Sequence, residues 1–64
     1  MPTNICLGSD LKILVQEDAE EVKQLLVNKA PEYVKFTALH ELHQSVSGDI
    51  YVNPAQVRFI HGVG

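Results

Sequence analysis

The segment that decides the fold runs from Leu11 to Lys29 and reads LKILVQEDAEEVKQLLVNK. Within Leu11–Val15 the odd-numbered residues are apolar and share one face, which is the two-residue period of a β-strand. Asp18 then precedes Glu21 by three residues, the spacing of a helix capping box. From Ala19 to Lys29 the apolar residues follow helical spacing. The segment therefore predicts a strand followed by one amphipathic helix over Ala19–Lys29.

The residues on either side of this segment extend the pattern. Thr3–Leu7 is short and favours a strand, and Gly8-Ser9-Asp10 is a cluster of turn formers. Together with Leu11–Val15 they predict a β-hairpin. On the other side, Ala30-Pro31-Glu32 is expected to end the helix, because a residue that precedes proline is pushed out of the α region.

The second half of the chain is predicted to form strands. Tyr33–His43 begins with β-branched and aromatic residues and alternates, although its C-terminal part, Thr37–His43, is also compatible with a helix. Gln44–Asp49 is predicted as a turn or loop and Ile50–Val52 as a strand. This reading leaves the state of Thr37–His43 open.

The last part of the chain contains a predicted bend and a final strand. In Asn53-Pro54-Ala55-Gln56 the Asn side chain can bond the backbone two residues on. A strand from Val57 to Ile60 or His61 follows, with Val57 and Phe59 expected on one face, and the tail Gly62–Gly64 is expected to fray. The sequence thus predicts an α+β fold in a single domain, residues 1–64, in the order β-β-α-β-β-β, with the helix packed on a mostly antiparallel sheet.

Composition excludes several classes of protein. Hydrophobic residues make up 45% and charged residues 20% of the 64 residues, which is too apolar for an intrinsically disordered chain. The formal charge is −3 and the five Lys and Arg residues are scattered, so we expect no nucleic-acid partner. The N-terminal segment has no signal-peptide pattern and no apolar run reaches the length of a membrane span. We therefore expect a cytoplasmic protein that does not bind a membrane.

Metal and cofactor chemistry has weak support in the sequence. The single cysteine, Cys6, excludes an internal disulfide and is interpreted as a small core residue. His40, His43 and His61 are the one group with metal-ligand chemistry, but in a strand His40 and His43 lie on opposite faces. We therefore expect no cofactor and no metal site. The alternative left open is a regulator that binds a metal or small ligand through these three histidines.

Catalysis is not expected either. Glu17, Asp18, Glu20 and Glu21 form an acidic run, which is explained by their position near the start of the helix and its dipole. No paired carboxylates, Ser-His-Asp order or glycine-rich phosphate loop can be assembled from the other residues. A chain of 64 residues also has little room to enclose a pocket. The sequence predicts a protein that is not an enzyme.

The remaining feature is the apolar character of both strand faces. Neighbouring residues such as Phe59 and Ile60 point to opposite faces of a strand, so both faces of the predicted sheet carry apolar side chains. A chain of this length buries only about 60% of the surface that it exposes when unfolded. We therefore expect a homo-oligomer, a homodimer or higher, that also binds another, unidentified protein. The predicted contact residues are aromatic and aliphatic, with two histidines at the rim: Tyr33, Phe36, Leu39, Tyr51 and Phe59, with His40 and His43.

Two segments resemble a known family. Ile50–Ile60, IYVNPAQVRFI, resembles the strand, Asn-Pro, strand element of the small bacterial FlbD-like (SwrD-like) flagellar accessory proteins. Leu11–Leu26 is similar to their other half, a strand followed by an acidic-capped short helix. In that family the Asn-Pro element comes first and the helix last, whereas here the two are exchanged. The resemblance implies a small β-rich bacterial or phage protein of accessory type, and it implies no catalytic residues.

Overall fold

The computed structural model describes residues 1–8, 10–42 and 44–63, and these form one α-helix and five antiparallel strands in a single α+β domain. The strands are β1 (Thr3–Leu7), β2 (Leu11–Val15), β3 (Val34–Ala38), β4 (Gly48–Val52) and β5 (Val57–Gly62). The helix α1 spans Ala19–Lys29, and a short 3₁₀ helix, Pro54–Gln56, joins β4 to β5. The predicted order β-β-α-β-β-β is confirmed.

The hairpin and the helix have the predicted boundaries. Thr3 pairs with Val15 and Leu7 with Leu11, and the turn begins at Gly8, whose φ of 61° lies in the left-handed region that favours glycine. Asp18 occupies the position before the helix, but its side chain makes no capping bond and pairs with the N-terminal amine. The N-cap position is therefore confirmed, and the capping-box bond is not formed.

The third strand is shorter than predicted. β3 ends at Ala38, and residues 39–42 form neither strand nor helix, so both alternatives for the end of Tyr33–His43 are wrong for them. His43 lies outside the described residues. The Leu39 N–H still donates to the Leu14 carbonyl of the neighbouring strand, but the Leu14 N–H donates to the Gln44 side chain and not to the backbone that follows β3. β4 begins at Gly48, two residues before its predicted start.

The final strand is longer than predicted and irregular. β5 reaches Gly62, and the Val63 N–H donates to the Pro2 carbonyl at 2.8 Å, so the expected fraying is wrong for these two residues. Gly64 lies outside the described residues. Cys6 pairs with Phe59 but Leu7 pairs with Val57, which makes Arg58 an extra residue, a β-bulge. Val57 and Phe59 therefore lie on opposite faces, and the predicted simple alternation is wrong.

The sheet is strongly curled. Its strand order is β4-β3-β2-β1-β5, so β4 and β5 lie at opposite edges although only residues 53–56 join them. In a flat sheet these edges would be about 19 Å apart, whereas a 3₁₀ helix rises only about 2 Å per residue. The edge strands β4 and β5 also run in the same direction. In a flat sheet the link would therefore also have to run back along the length of a strand. The short connection therefore requires the sheet to curl and twist.

The core lies inside this curl and the helix covers it. Val22 of α1 is fully buried, and Leu25 and Leu26 pack against the same cluster. The strand residues of the cluster belong to one face, which we call the inner face: Ile5, Ile13, Val15, Val34, Phe36, Ala38 and Val52. A methyl group added to Gly62 would lie 3.4 Å from Cβ of Ala19, which places the first turn of α1 against β5. The opposite face, the outer face, is turned away from the helix.

Candidate interaction surface

The outer face carries apolar side chains that no described element covers. Tyr51 of β4 and Phe59 of β5 are 67% and 56% exposed, and the half-buried Leu14 of β2 lies between them in the strand order. Ile60, next to Phe59, is instead half-buried against the inner core. The predicted two-sided apolar character is confirmed for this pair of residues.

A groove around Phe59 occupies one end of the outer face. The bulge at Arg58 turns Phe59 outward, next to Cys6 on β1. Cys6 is free and 5% exposed, and its neighbours on the two flanking strands are Lys12 and Phe59. It is buried as predicted, but on the face opposite the main core. We call this site the Phe59 groove, and its lining residues are Cys6, Gly8, Asp10, Leu11, Lys12, Arg58 and Phe59.

The charges of the Phe59 groove are mostly basic. Arg58 donates from Nη1 to the Gly8 carbonyl at 3.4 Å, and Lys12 stands on the other side of Cys6. Asp10 is the single carboxylate among the lining residues. The groove thus combines an exposed aromatic ring with two cationic side chains and one anionic one.

Two predicted tyrosines form a separate site. Tyr33 and Tyr51, each more than half exposed, line a groove between the end of α1 and the start of β3, together with Lys29 and Lys35. Lys35 also approaches Asp49, with Nζ 3.8 Å from Oδ2. Phe59 does not line this groove. The predicted aromatic residues therefore divide between two places, because β4 and β5 are opposite edges of the sheet.

Phe36 does not belong to the surface, so its prediction as a contact residue is wrong. It is 0% exposed, on the inner face of β3, opposite Ile50. Its side chain lies at the centre of the five-residue strand β3 and is the largest fully buried side chain among the described residues. The sequence pattern could not separate the two faces, because Tyr33 and Phe36 are both aromatic and which side receives the helix depends on packing.

The histidines are placed on different elements. His40 is exposed in the segment that follows β3, and His61 lies on β5 opposite Asn4. His43 lies outside the described residues, so neither its rim position nor its part in a metal site can be placed. Among residues 1–8, 10–42 and 44–63, no three His, Cys, Asp or Glu side chains are grouped so that they could hold a metal ion.

Two polar side chains that the sequence interpretation missed join β2 to β3. Leu39 N–H donates to the Leu14 carbonyl at 2.8 Å, and beyond this point the strands separate. Gln44 then bonds Leu14 with its amide: Oε1 accepts from the Leu14 N–H at 2.7 Å, and Nε2 donates to the Leu39 carbonyl at 2.7 Å. At the other end, the Glu17 carboxylate accepts from the Thr37 N–H at 3.1 Å. Nothing in the residue pattern marks either role.

The position of Glu17 also corrects the interpretation of the acidic run. Only Glu20 and Glu21 lie in the first turn of α1, where a helix dipole favours negative charge. Glu17 bonds the backbone of β3, and Asp18 pairs with the N-terminal amine. Helix polarity therefore explains half of the run, and contacts between distant segments explain the other half.

Comparisons with known proteins give no relative for this chain. No family model, no curated protein and no solved structure matches it. Within the part of the chain that the structure describes, no helix has the length and apolar character needed to cross a membrane.

Proposed function

We propose that this protein is a non-enzymatic interaction module that forms a homo-oligomer and binds another protein. The observation that carries the proposal is the outer face of the sheet, where Tyr51 and Phe59 are more than half exposed while α1 covers the inner face alone. Exposed aromatic residues on an uncovered face are typical of protein interaction sites. A cytoplasmic location and an accessory role, the latter implied by the resemblance to FlbD-like proteins, are part of the same proposal.

The Phe59 groove is the proposed site for the other protein. Its exposed aromatic ring would pack against an apolar side chain, and Lys12 and Arg58 would pair with a carboxylate beside it. A partner segment with one apolar and one acidic residue close together fits this arrangement.

Self-association is tested by light scattering coupled to size-exclusion chromatography. We expect the apparent mass to exceed 7.1 kDa and to rise with concentration through the micromolar range. A constant monomer mass across that range would contradict the homo-oligomer.

Binding to another protein is tested by affinity capture with three forms of the chain. The unchanged chain and a Val27→Ser variant should retain the same protein, because Val27 is 70% exposed on α1, away from the groove. Phe59→Ser should lose it. Equal capture by all three forms would exclude the Phe59 groove as the binding site.

A further inference from the structure

The open edge of β4 presents unpaired backbone groups whose identity follows from the hydrogen bonds of β3. The Thr37 carbonyl accepts from the Gln16 N–H and the Thr37 N–H donates to Glu17, so both polar groups of Thr37 point toward β2. The backbone N–H and C=O groups of successive residues point alternately to the two sides of a strand, so those of Phe36 and Ala38 point toward β4. Phe36 pairs with Ile50 and Thr37 with Asp49. The N–H and C=O groups of Ile50 are therefore used within the sheet.

Asp49 and Tyr51 consequently direct their backbone groups outward. Asp49 and Tyr51 lie opposite Thr37 and Lys35 of β3, whose backbone N–H and C=O groups point toward β2. Asp49 and Tyr51 are therefore at non-hydrogen-bonded positions of the β3–β4 ladder. β4 is the last strand on this side of the sheet. No hydrogen bond from another described residue reaches these four groups. An outward row of unpaired donors and acceptors is a template for another strand.

The two edges of the sheet differ in how well they are protected. β5 is interrupted by the bulge at Arg58 and lies against the first turn of α1 at Gly62, and bulges and covering elements are the usual protection of an edge. β4 pairs with β3 through five consecutive residues without any register shift. The regular, uninterrupted edge is therefore the one at β4.

We infer that β4 pairs with β4 of a second copy of this chain, antiparallel and about a two-fold axis at Ile50. This inference rests on the proposed homo-oligomer and specifies how it forms. With Ile50 opposite Ile50 of the second copy, Asp49 lies opposite Tyr51 of that copy, and the reverse. Each of these two pairs exchanges both backbone hydrogen bonds, and the two sheets join into one.

The side chains of β4 favour this register over its neighbours. Moving the axis to Asp49 would place two carboxylates directly opposite each other, which is destabilising. Moving it to Tyr51 would place Asp49 opposite Asn53, whose carbonyl already accepts from the Gln56 N–H at 2.9 Å. The register centred on Ile50 avoids both problems. It also brings the two half-buried Ile50 side chains together on the inner face, where they pack against the core.

Amide hydrogen exchange followed by NMR tests the inference in the unmodified chain. At millimolar concentration we expect slow exchange at Asp49 and Tyr51, and at low micromolar concentration fast exchange at both. The Ile50 amide serves as the internal reference, because its bond to Phe36 keeps it protected at both concentrations. Fast exchange of Asp49 and Tyr51 at every concentration would overturn the inference.

A proline variant provides the second test. Asp49→Pro removes an N–H that points out of the sheet, a position at which an edge strand tolerates proline. We expect dimerisation at least tenfold weaker than in the unchanged chain, with the circular dichroism spectrum of the fold retained. Asp49→Ala keeps the N–H and should dimerise like the unchanged chain. If Asp49→Pro does not fold, a synthetic chain with an N-methyl group on the Tyr51 amide replaces it, and dimerisation of that chain at unchanged strength would overturn the inference.

The outcomes separate this inference from the proposed function. A chain that stays monomeric at all concentrations contradicts the homo-oligomer itself. A chain that dimerises while the Asp49 and Tyr51 amides exchange freely retains the homo-oligomer and excludes β4 as its contact. Protected amides together with loss of the dimer in Asp49→Pro support both.

Discussion

At the scale of single residues, side chains complete the sheet where the backbone does not. The Gln44 amide bonds Leu14, Leu39 and Val46, so it replaces the missing strand beside β2 and holds the segment that follows β3. A primary amide suits this role because it carries both donors and an acceptor, as the peptide group does. The described residues that follow β3 are thus attached to the sheet by the Gln44 side chain and by the Leu39 N–H, which donates to the Leu14 carbonyl.

We expect Gln44→Ala to destabilise the protein by about 1–3 kcal/mol, because the Leu14 N–H and the Leu39 carbonyl lose their partner in a partly buried place. The free energy of unfolding from urea denaturation measures this. Gln16→Ala is the matched control, since Gln16 is exposed and takes part in the sheet through its backbone. Equal stabilities of the two variants would show that the amide of Gln44 does not support the sheet.

At the scale of elements, the bulge in β5 decides which side chains are available to a partner. Without the extra residue at Arg58, Val57 and Phe59 would lie on the same face of the sheet. Both side chains would then belong to the core, or both would belong to the surface. With it, Val57 packs against the inner core and Phe59 enters the outer groove.

This arrangement predicts an unusual order of mutational effects in β5. Val57→Ala should destabilise the protein by about 1–2 kcal/mol through lost burial, whereas the larger truncation Phe59→Ala should cost less than half of that. Thermal and urea unfolding of the two variants measure the difference. A greater loss at Phe59 than at Val57 would mean that the strand alternates regularly and that the bulge is absent in solution.

The 3₁₀ helix between the edge strands depends on Asn53. Its Oδ1 accepts from the Ala55 N–H at 3.0 Å, and this bond fixes the bend before Pro54. Asn53→Ala should therefore lower stability by about 0.5–1.5 kcal/mol, while Asn53→Asp, which keeps the acceptor, should stay close to the unchanged protein. Differential scanning calorimetry of both variants is the measurement. A similar loss of stability in both variants would indicate that the side-chain nitrogen of Asn53, and not its oxygen, stabilises the bend.

The elements that were predicted correctly are those with local causes. The hairpin follows from alternation and turn residues within Thr3–Val15, the helix from spacing within Ala19–Lys29, and the bend from Asn53 and the proline after it. The end of β3 and the bulge at Arg58 were not predictable, because each is set by a partner far away in sequence, Gln44 acting on Leu14 and β1 acting on β5.

The candidate surface was predictable only in part, because local sequence patterns do not contain the contacts between distant segments. Composition and alternation identified the aromatic residues, and Tyr33, Tyr51 and Phe59 are exposed. Phe36 was assigned to the wrong face because the pattern does not reveal which face the helix covers. The division of the aromatic residues between two grooves follows from the strand order, which no local pattern contains.

At the scale of the whole molecule, the exposed surface is somewhat large for the chain. It measures 4,425 Å², against about 4,100 Å² for a typical folded monomer of this mass. Small domains have little stability in reserve, so the area that pairing of β4 would bury matters more here than in a larger protein.

Self-association should therefore appear in the melting behaviour. Above the dissociation constant we expect the midpoint of thermal unfolding to rise by roughly 5 °C for each tenfold increase in protein concentration. Asp49→Pro should show a midpoint that does not change with concentration. A midpoint independent of concentration in the unchanged chain would indicate that the folded state gains nothing from association.

The pairing of β1 with β5 makes folding of the domain depend on its last strand. β1 needs a neighbour on each side, and the second one is formed by Val57–Gly62, more than fifty residues later. During synthesis the residues of the hairpin and the helix are made well before those of β5, so β1 lacks its second neighbour until β5 has been synthesised. Closing so long a loop slows folding toward the millisecond-to-second range. A nascent chain stalled before Val57 should therefore be sensitive to proteases and prone to aggregate, whatever the stability of the finished domain.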